Sequence, residues 1–198
     1  MKILTMKFGG TSVADVDRIK IVRDIISDEI RNGWNVVAVV SAMSKETNKL
    51  INLAKKVGVE SIVDPEYDSL ISTGEDISSA LLAIALNSIG ISSRSWRGWQ
   101  LPIRTDSFHS NAKIEEIEIT KLVEAFKRGS KVAVVSGFQG LEKSGRITTL
   151  GRGGSDTSAV AIAAAIDAER CDIYTDVSGI YTTDPRIKKN ASKLKKIS

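Results

Sequence analysis

The sequence holds one cysteine, Cys171, and one histidine, His109, among 198 residues. A lone thiol closes no intrachain disulfide, and this pair cannot furnish the Cys/His set of a zinc site. That usage fits a reducing, cytoplasmic setting. Proline occurs three times and aromatics make up only 5%. No basic run is interleaved with aromatics, and a net charge of +4 is too modest to argue for nucleic acid. No apolar run approaches membrane-spanning length, and Met1–Phe8 is too short for a signal peptide. Nucleic acid and membrane are therefore not expected as partners; an anionic small substrate suits the charge balance. What remains is ordinary globular composition, 42% hydrophobic and 26% charged, enough for one domain, or one domain and a fragment of another.

The stretch Thr148-Thr149-Leu150-Gly151-Arg152-Gly153-Gly154-Ser155-Asp156-Thr157-Ser158 stands out, with three glycines within four positions. The Ala-rich run Ala159–Ala168 behind it has strong helix propensity. A glycine turn that opens a helix lets the backbone approach a ligand and presents unpaired N–H groups to an anion. Arg152 could grip a carboxylate or phosphate with two parallel hydrogen bonds. The plainer reading is a tight loop with Ser155 or Asp156 as N-cap.

Along the chain, residues 3–8 form an apolar strand broken by Gly9-Gly10-Thr11-Ser12. Val16, Ile19, Val22, Ile26 and Ile30 then recur at helical spacing up to Gly33. Residues 36–40 are a continuous apolar strand, of the kind covered on both faces, followed by Ser41-Ala42-Met43-Ser44. A helix is expected over 47–57, an irregular stretch with Pro65 over 59–67, and one long helix over 68–87. A strand follows at 92–96, a loop over 98–109, a helix in the second half of 117–128, and a buried strand at 131–135. Residues 137–149 read as a hairpin, and 172–177 as a strand. Strands alternating with helices imply a mostly parallel sheet between helix layers. Ligands of such sheets collect at the carboxyl ends of the strands, where Gly9–Ser12, Ser41–Ser44, Gly137 and Thr175-Asp176 fall.

Two familiar phosphate motifs are absent. Gly140 to Ile147 has glycines at P-loop spacing without the Lys and Ser/Thr that complete one, and reads as a hairpin turn. Asp156 stands where a dinucleotide fingerprint needs its last glycine. Lys7 is either a strand-end cation in solvent or a cation reaching over the glycine turn towards phosphate oxygens. Glu75 is by itself an ordinary helical Glu, Tyr181 could stack beside a purine, and His109 reads as structural or surface.

Lys7-Phe8-Gly9-Gly10-Thr11-Ser12, Ser72-Thr73-Gly74-Glu75, Gly137-Phe138-Gln139-Gly140, Thr149 to Asp156 and Thr175 to Arg186, in this order, resemble the aspartate kinase branch of the amino acid kinase family. The resemblance implies a three-layer α/β/α sandwich with a mostly parallel sheet. It implies transfer of the ATP γ-phosphoryl group to the side-chain carboxylate of L-aspartate, the first step towards lysine, threonine and methionine. It gives Lys7 and Asp156 catalytic roles, and Ser41, Thr47, Glu75 and Arg152 the aspartate site. Lys7, Gly9, Gly10, Thr175, Asp176, Tyr181, Asp184 and Arg186 would hold the nucleotide. The cofactors implied are ATP and Mg²⁺, with no metal ligand assigned among the residues, and the full-length enzyme would be a homo-oligomer. Family members continue past the position of Ser198 through the rest of the kinase domain and usually through ACT regulatory domains. Residues 1–198 are therefore expected to be a truncated catalytic domain, incomplete at its C-terminus and without an ACT domain. The alternative is a non-catalytic nucleotide-binding fragment of that enzyme.

Overall fold

The structure, a computed structural model, describes residues 1–61, 63–175, 182, 183, 188 and 190–192. Elements follow in the order β1 (Ile3–Phe8), α1 (Val16–Arg31), β2 (Asn35–Val40), α2 (Glu46–Val57), α3 (Pro65–Ile71), α4 (Thr73–Asn87) and β3 (Ser93–Trp96). Then come β4 (Ile103–Thr105), β5 (Ile114–Ile117), α5 (Thr120–Lys127), β6 (Val132–Ser136), β7 (Gln139–Leu141), β8 (Ile147–Thr149), α6 (Gly154–Ala165) and β9 (Arg170–Tyr174).

Five strands form a parallel sheet in the order β3-β6-β2-β1-β9. Side chains alternate across a strand, so the apolar runs of β1 and β2 feed two cores. Leu4, Met6, Phe8, Val36, Ala38 and Val40 pack with Ile19, Val22 and Ile26 of α1 and Leu82 and Leu86 of α4. Ile3, Val37 and Val39 face the other way, onto Leu122 and Phe126 of α5 and Ala159 and Ile162 of α6. Each of these other than the alanines, buried, contributes ~1.5–3 kcal/mol. The result is helix, sheet, helix: the expected three-layer sandwich. The same alternation sends Lys7 to the α6 side, because it shares the parity of Ile3.

Several local expectations are corrected. Pro65 opens α3 at its first turn, where a missing N–H costs nothing, and the Asp64 side chain accepts from Glu66 N at 2.7 Å. The single long helix over 68–87 is instead two helices, α3 and α4, meeting at Ser72. The run Pro65–Asn87, 23 residues, does meet the length and hydropathy of a membrane span, but half of its apolar window is buried in the protein. The loop over 98–109 contains β4, and β5 precedes α5; both join β7 and β8 in a second sheet ordered β5-β4-β7-β8. These strands are three or four residues long, too short for a period to show. The N-cap of α6 is Gly153, at φ 76°, and neither Ser155 nor Asp156. A left-handed backbone there suits glycine and turns the chain from β8 into the helix.

Candidate active site

The carboxyl ends of β1 and β2 and the N-terminal ends of α2, α4 and α6 meet around an open cleft of about 900 Å³. Lys7, Gly9, Gly10, Ser41, Thr47, Glu75, Arg152, Asp156 and Thr175 all line it. Nine positions singled out in the sequence thus come together from five segments. Asp176, Tyr181, Asp184 and Arg186 lie outside the described residues.

Lys7 leaves the sheet towards the first turn of α6, and its Nζ lies 2.6 Å from Asp156 Oδ1. The Lys7 side chain is 11% exposed and that of Asp156 52%, so the pair is covered on the sheet side and open on the cleft side. Asp156 at a helix N-terminus is favoured by the dipole. The Lys7 ammonium curls back over the turn: a Cβ added to Gly9 would sit 3.4 Å from Nζ. A Cβ on Gly10 would lie 2.9 Å from the Ala42 carbonyl oxygen, too close for any side chain. The glycines therefore keep backbone, ammonium and helix end within reach of one anionic guest, and the residues fit a nucleotide phosphate.

A second carboxylate lines the same cleft, and it is buried. Glu75, in the first turn of α4, is 4% exposed. Its Oε1 accepts from Ala42 N at 2.9 Å, and its Oε2 has no hydrogen-bond partner among the described residues. Burial pushes its carboxyl up to about 7; the Ala42 N–H and its own N–H pull the other way, and the Asp76 charge adds to the rise. A buried acceptor without a donor is costly. A cation arriving in the cleft would satisfy it. Asp76 turns away, accepting from Ser136 Oγ at 2.9 Å and Gln139 Nε2 at 3.1 Å, with Arg97 Nε at 3.2 Å. Arg152, exposed between Gly151 and Gly153, lines the cleft ahead of α6.

Sequence reasoning assigned no role to several residues at or beside the cleft. Lys45 sits at φ 67° ahead of α2 and adds a further cation at the mouth. Gly74 allows close contact, since a Cβ there would meet Ala42 Cβ at 2.8 Å. Asp68, fully buried in α3, accepts from Thr149 and Ser110 beside the cleft. His109 is structural, as expected, with its Nδ1 2.9 Å from Asp68 Oδ2. Among the described residues no group of three or more His, Cys, Asp or Glu could hold a metal ion.

A profile of the amino acid kinase family matches residues 2–198. Aspartokinase from Geobacillus stearothermophilus is 50% identical over 198 residues, which is all of this chain and 48% of that one. The chain thus spans about half the length of the curated relatives it matches. Aspartate kinase from Synechocystis superposes with a TM-score of 0.82 at 43% identity, covering 96% of this chain and 31% of the other. E. coli aspartokinase III, solved in complex with aspartate and ADP, superposes with a TM-score of 0.84 at 28% identity, covering 98% and 53%. A parallel sheet with its polar loops gathered at one edge, an ammonium and a glycine turn facing a helix N-terminus, and a match along nearly the whole length agree: the chain belongs to the amino acid kinase family.

Proposed function

We propose that this chain carries the catalytic core of an aspartate kinase. The reaction transfers the γ-phosphoryl group of ATP to the side-chain carboxylate of L-aspartate, giving 4-phospho-L-aspartate and ADP. One observation carries the reading: an ion-paired ammonium beside a glycine turn and a buried carboxylate with one oxygen unpartnered among the described residues line the same cleft. Such a cleft suits anionic groups at the ammonium and a ligand ammonium at the carboxylate.

The chemistry asks little of acid–base groups. An aspartate side chain has a pKa of about 3.9, so the nucleophile is ionised at neutral pH without a base. Its oxygen attacks the γ-phosphorus, the bond to the β,γ-bridging oxygen breaks, and ADP leaves with that electron pair. What must be supplied is in-line positioning and screening of two repelling anions. Lys7, held by Asp156, supplies charge at the phosphates, with Gly9, Gly10 and Thr175 on the nucleotide side. Glu75 takes the α-ammonium of aspartate, and Arg152 its α-carboxylate, with Ser41 and Thr47 along that wall. Mg²⁺ would be held on the phosphate side, where Asp156 offers an exposed carboxylate, and would supply charge neutralisation there. Asp176, Tyr181, Asp184 and Arg186 complete the nucleotide side in this reading.

Residues 1–198 would be the amino-terminal portion of that kinase domain. The setting is cytoplasmic, the assembly a homo-oligomer, and the product feeds lysine, threonine and methionine synthesis; the resemblance supports these points, and the single cysteine supports the setting. The length relation to the curated relatives favours one other reading, a nucleotide-binding piece without turnover. A hydroxylamine trap separates them. Hydroxamate formed from MgATP with aspartate, and not with glutamate, acetylglutamate or UMP as acceptor, is the expected result for the full-length protein. If residues 1–198 alone bind MgADP but form no hydroxamate, the piece is nucleotide-binding only; if the full-length protein forms none with aspartate, the assignment of acceptor fails.

A further inference from the structure

Asp68 has no place in the chemistry above, yet it is 0% exposed and holds more of the cleft together than its position in α3 suggests. Its carboxylate accepts from five donor groups. Thr149 gives its backbone N–H at 3.0 Å and its Oγ1 at 2.7 Å. Ser110 gives its backbone N–H at 2.9 Å and its Oγ at 3.1 Å. His109 approaches with Nδ1 at 2.9 Å. In the tautomer that carries its proton on Nδ1, the imidazole donates to this carboxylate.

Both sets of donors lead to Arg152. Thr149 ends β8, three residues before it, and Ala112 N closes onto the Thr149 carbonyl at 2.9 Å. Ser110 adopts φ 62°, an uncommon left-handed conformation for serine that persists only where neighbours hold it. The Ser110 carbonyl and the Asn111 side chain form the floor under Gly151: a Cβ there would lie 3.2 Å and 2.9 Å from their oxygens. The Leu150 N–H, bonded to Phe138 O at 2.9 Å, anchors the other side of the same loop. The chain from β8 to the α6 N-cap thus rests on a turn, residues 107–112, whose shape Asp68 sets.

We propose that Asp68 is a positioning residue for the acceptor site: it fixes the turn at 107–112 against β8 and thereby sets where Arg152 meets the α-carboxylate of the acceptor. This deepens the kinase reading and rests on it. The prediction is selectivity. In the full-length protein, Asp68→Asn keeps the volume but turns one acceptor atom into a donor facing donors. The KM for aspartate should rise about tenfold or more, with the KM for ATP within about twofold. Backbone hydrogen exchange at 107–112 and 150–153 should speed up, with β1 and β2 unchanged. His109→Ala, outside the cleft lining, should shift both readouts in the same direction by a smaller factor, and decides the matter if Asp68→Asn fails to fold. Equal changes in both KM values, or unchanged exchange in the two segments, would overturn the proposal. If the parent protein phosphorylates no aspartate, the function reading falls, while exchange still tests whether Asp68 holds the Arg152 loop.

Discussion

Asp156 and Glu75 are both carboxylates in the first turn of a helix that ends on the same cleft, and they are built in opposite ways. Asp156 is half-exposed and has a cation 2.6 Å away. Glu75 is buried, takes one backbone N–H, and leaves its second oxygen without a partner among the described residues. The first has its counter-charge supplied by the protein. The second is arranged so that the counter-charge must come from outside. One cleft thus contains a finished ion pair, which can orient a reacting group, and half of one, which can select a ligand.

The contrast breaks most severely at Lys7. Lys7→Ala leaves Asp156 without its cation and the phosphate wall without its ammonium. Turnover of the full-length protein should fall by a factor on the order of 10³ while the fold is kept, read by ADP release and circular dichroism. A variant with a near-normal rate would remove Lys7 from the chemistry.

Glu75→Gln tests the other half. Loss of the buried carboxylate that meets the ammonium should raise the KM for aspartate about 100-fold, since such a contact is worth ~2–5 kcal/mol. Its stability should change with the opposite sense to its activity. A carboxyl raised from 4.5 to about 7 contributes stability that is full below 4.5 and lost as pH rises through about 7. The glutamine has no such loss. Thermal unfolding without ligand should show the variant gaining on the parent between pH 5 and 8, by up to ~3 kcal/mol. A gap between the two that stays constant with pH would show that Glu75 ionises as freely in the folded protein as in the unfolded chain.

The finest measurement is a proton count. Near pH 7 a group titrating at about 7 is roughly half protonated, and a cation beside it drives the proton off. Aspartate binding should release up to about half a proton, seen as a buffer-dependent enthalpy in calorimetry. The release should vanish in Glu75→Gln. Release that persists there would point to another group.

The sequence made the frame legible because the frame is local. The apolar runs of β1 and β2, the spacing from Val16 to Ile30 and the glycines around Arg152 each state their structure within a dozen residues. Lys7 could be singled out because a cation in an apolar strand is incongruous. Asp68 could not be weighed in this way: its partners lie 41 to 81 residues away, and α3 carries other acids and hydroxyls that mark nothing out. The second sheet was illegible for a related reason. Residues 103–105 pair with 114–117 on one side and with β7 on the other, so those partners, more than local alternation, define the strand. Ser72 likewise looks like an interior helix position, and the break there shows only once α3 and α4 are in place.

Ala42 has a consequence of another kind. It lies between Gly10 and Gly74, within 2.9 Å and 2.8 Å of where their side chains would begin, and its N–H holds Glu75. The partition between the phosphate wall and the ammonium pocket is therefore one alanine thick, like a shim between two plates. Efforts to adapt the cleft to a longer acceptor should leave that shim alone and carve into the α2 and α3 walls, where Ile51, Tyr67 and Ile71 are side chains with volume to give up.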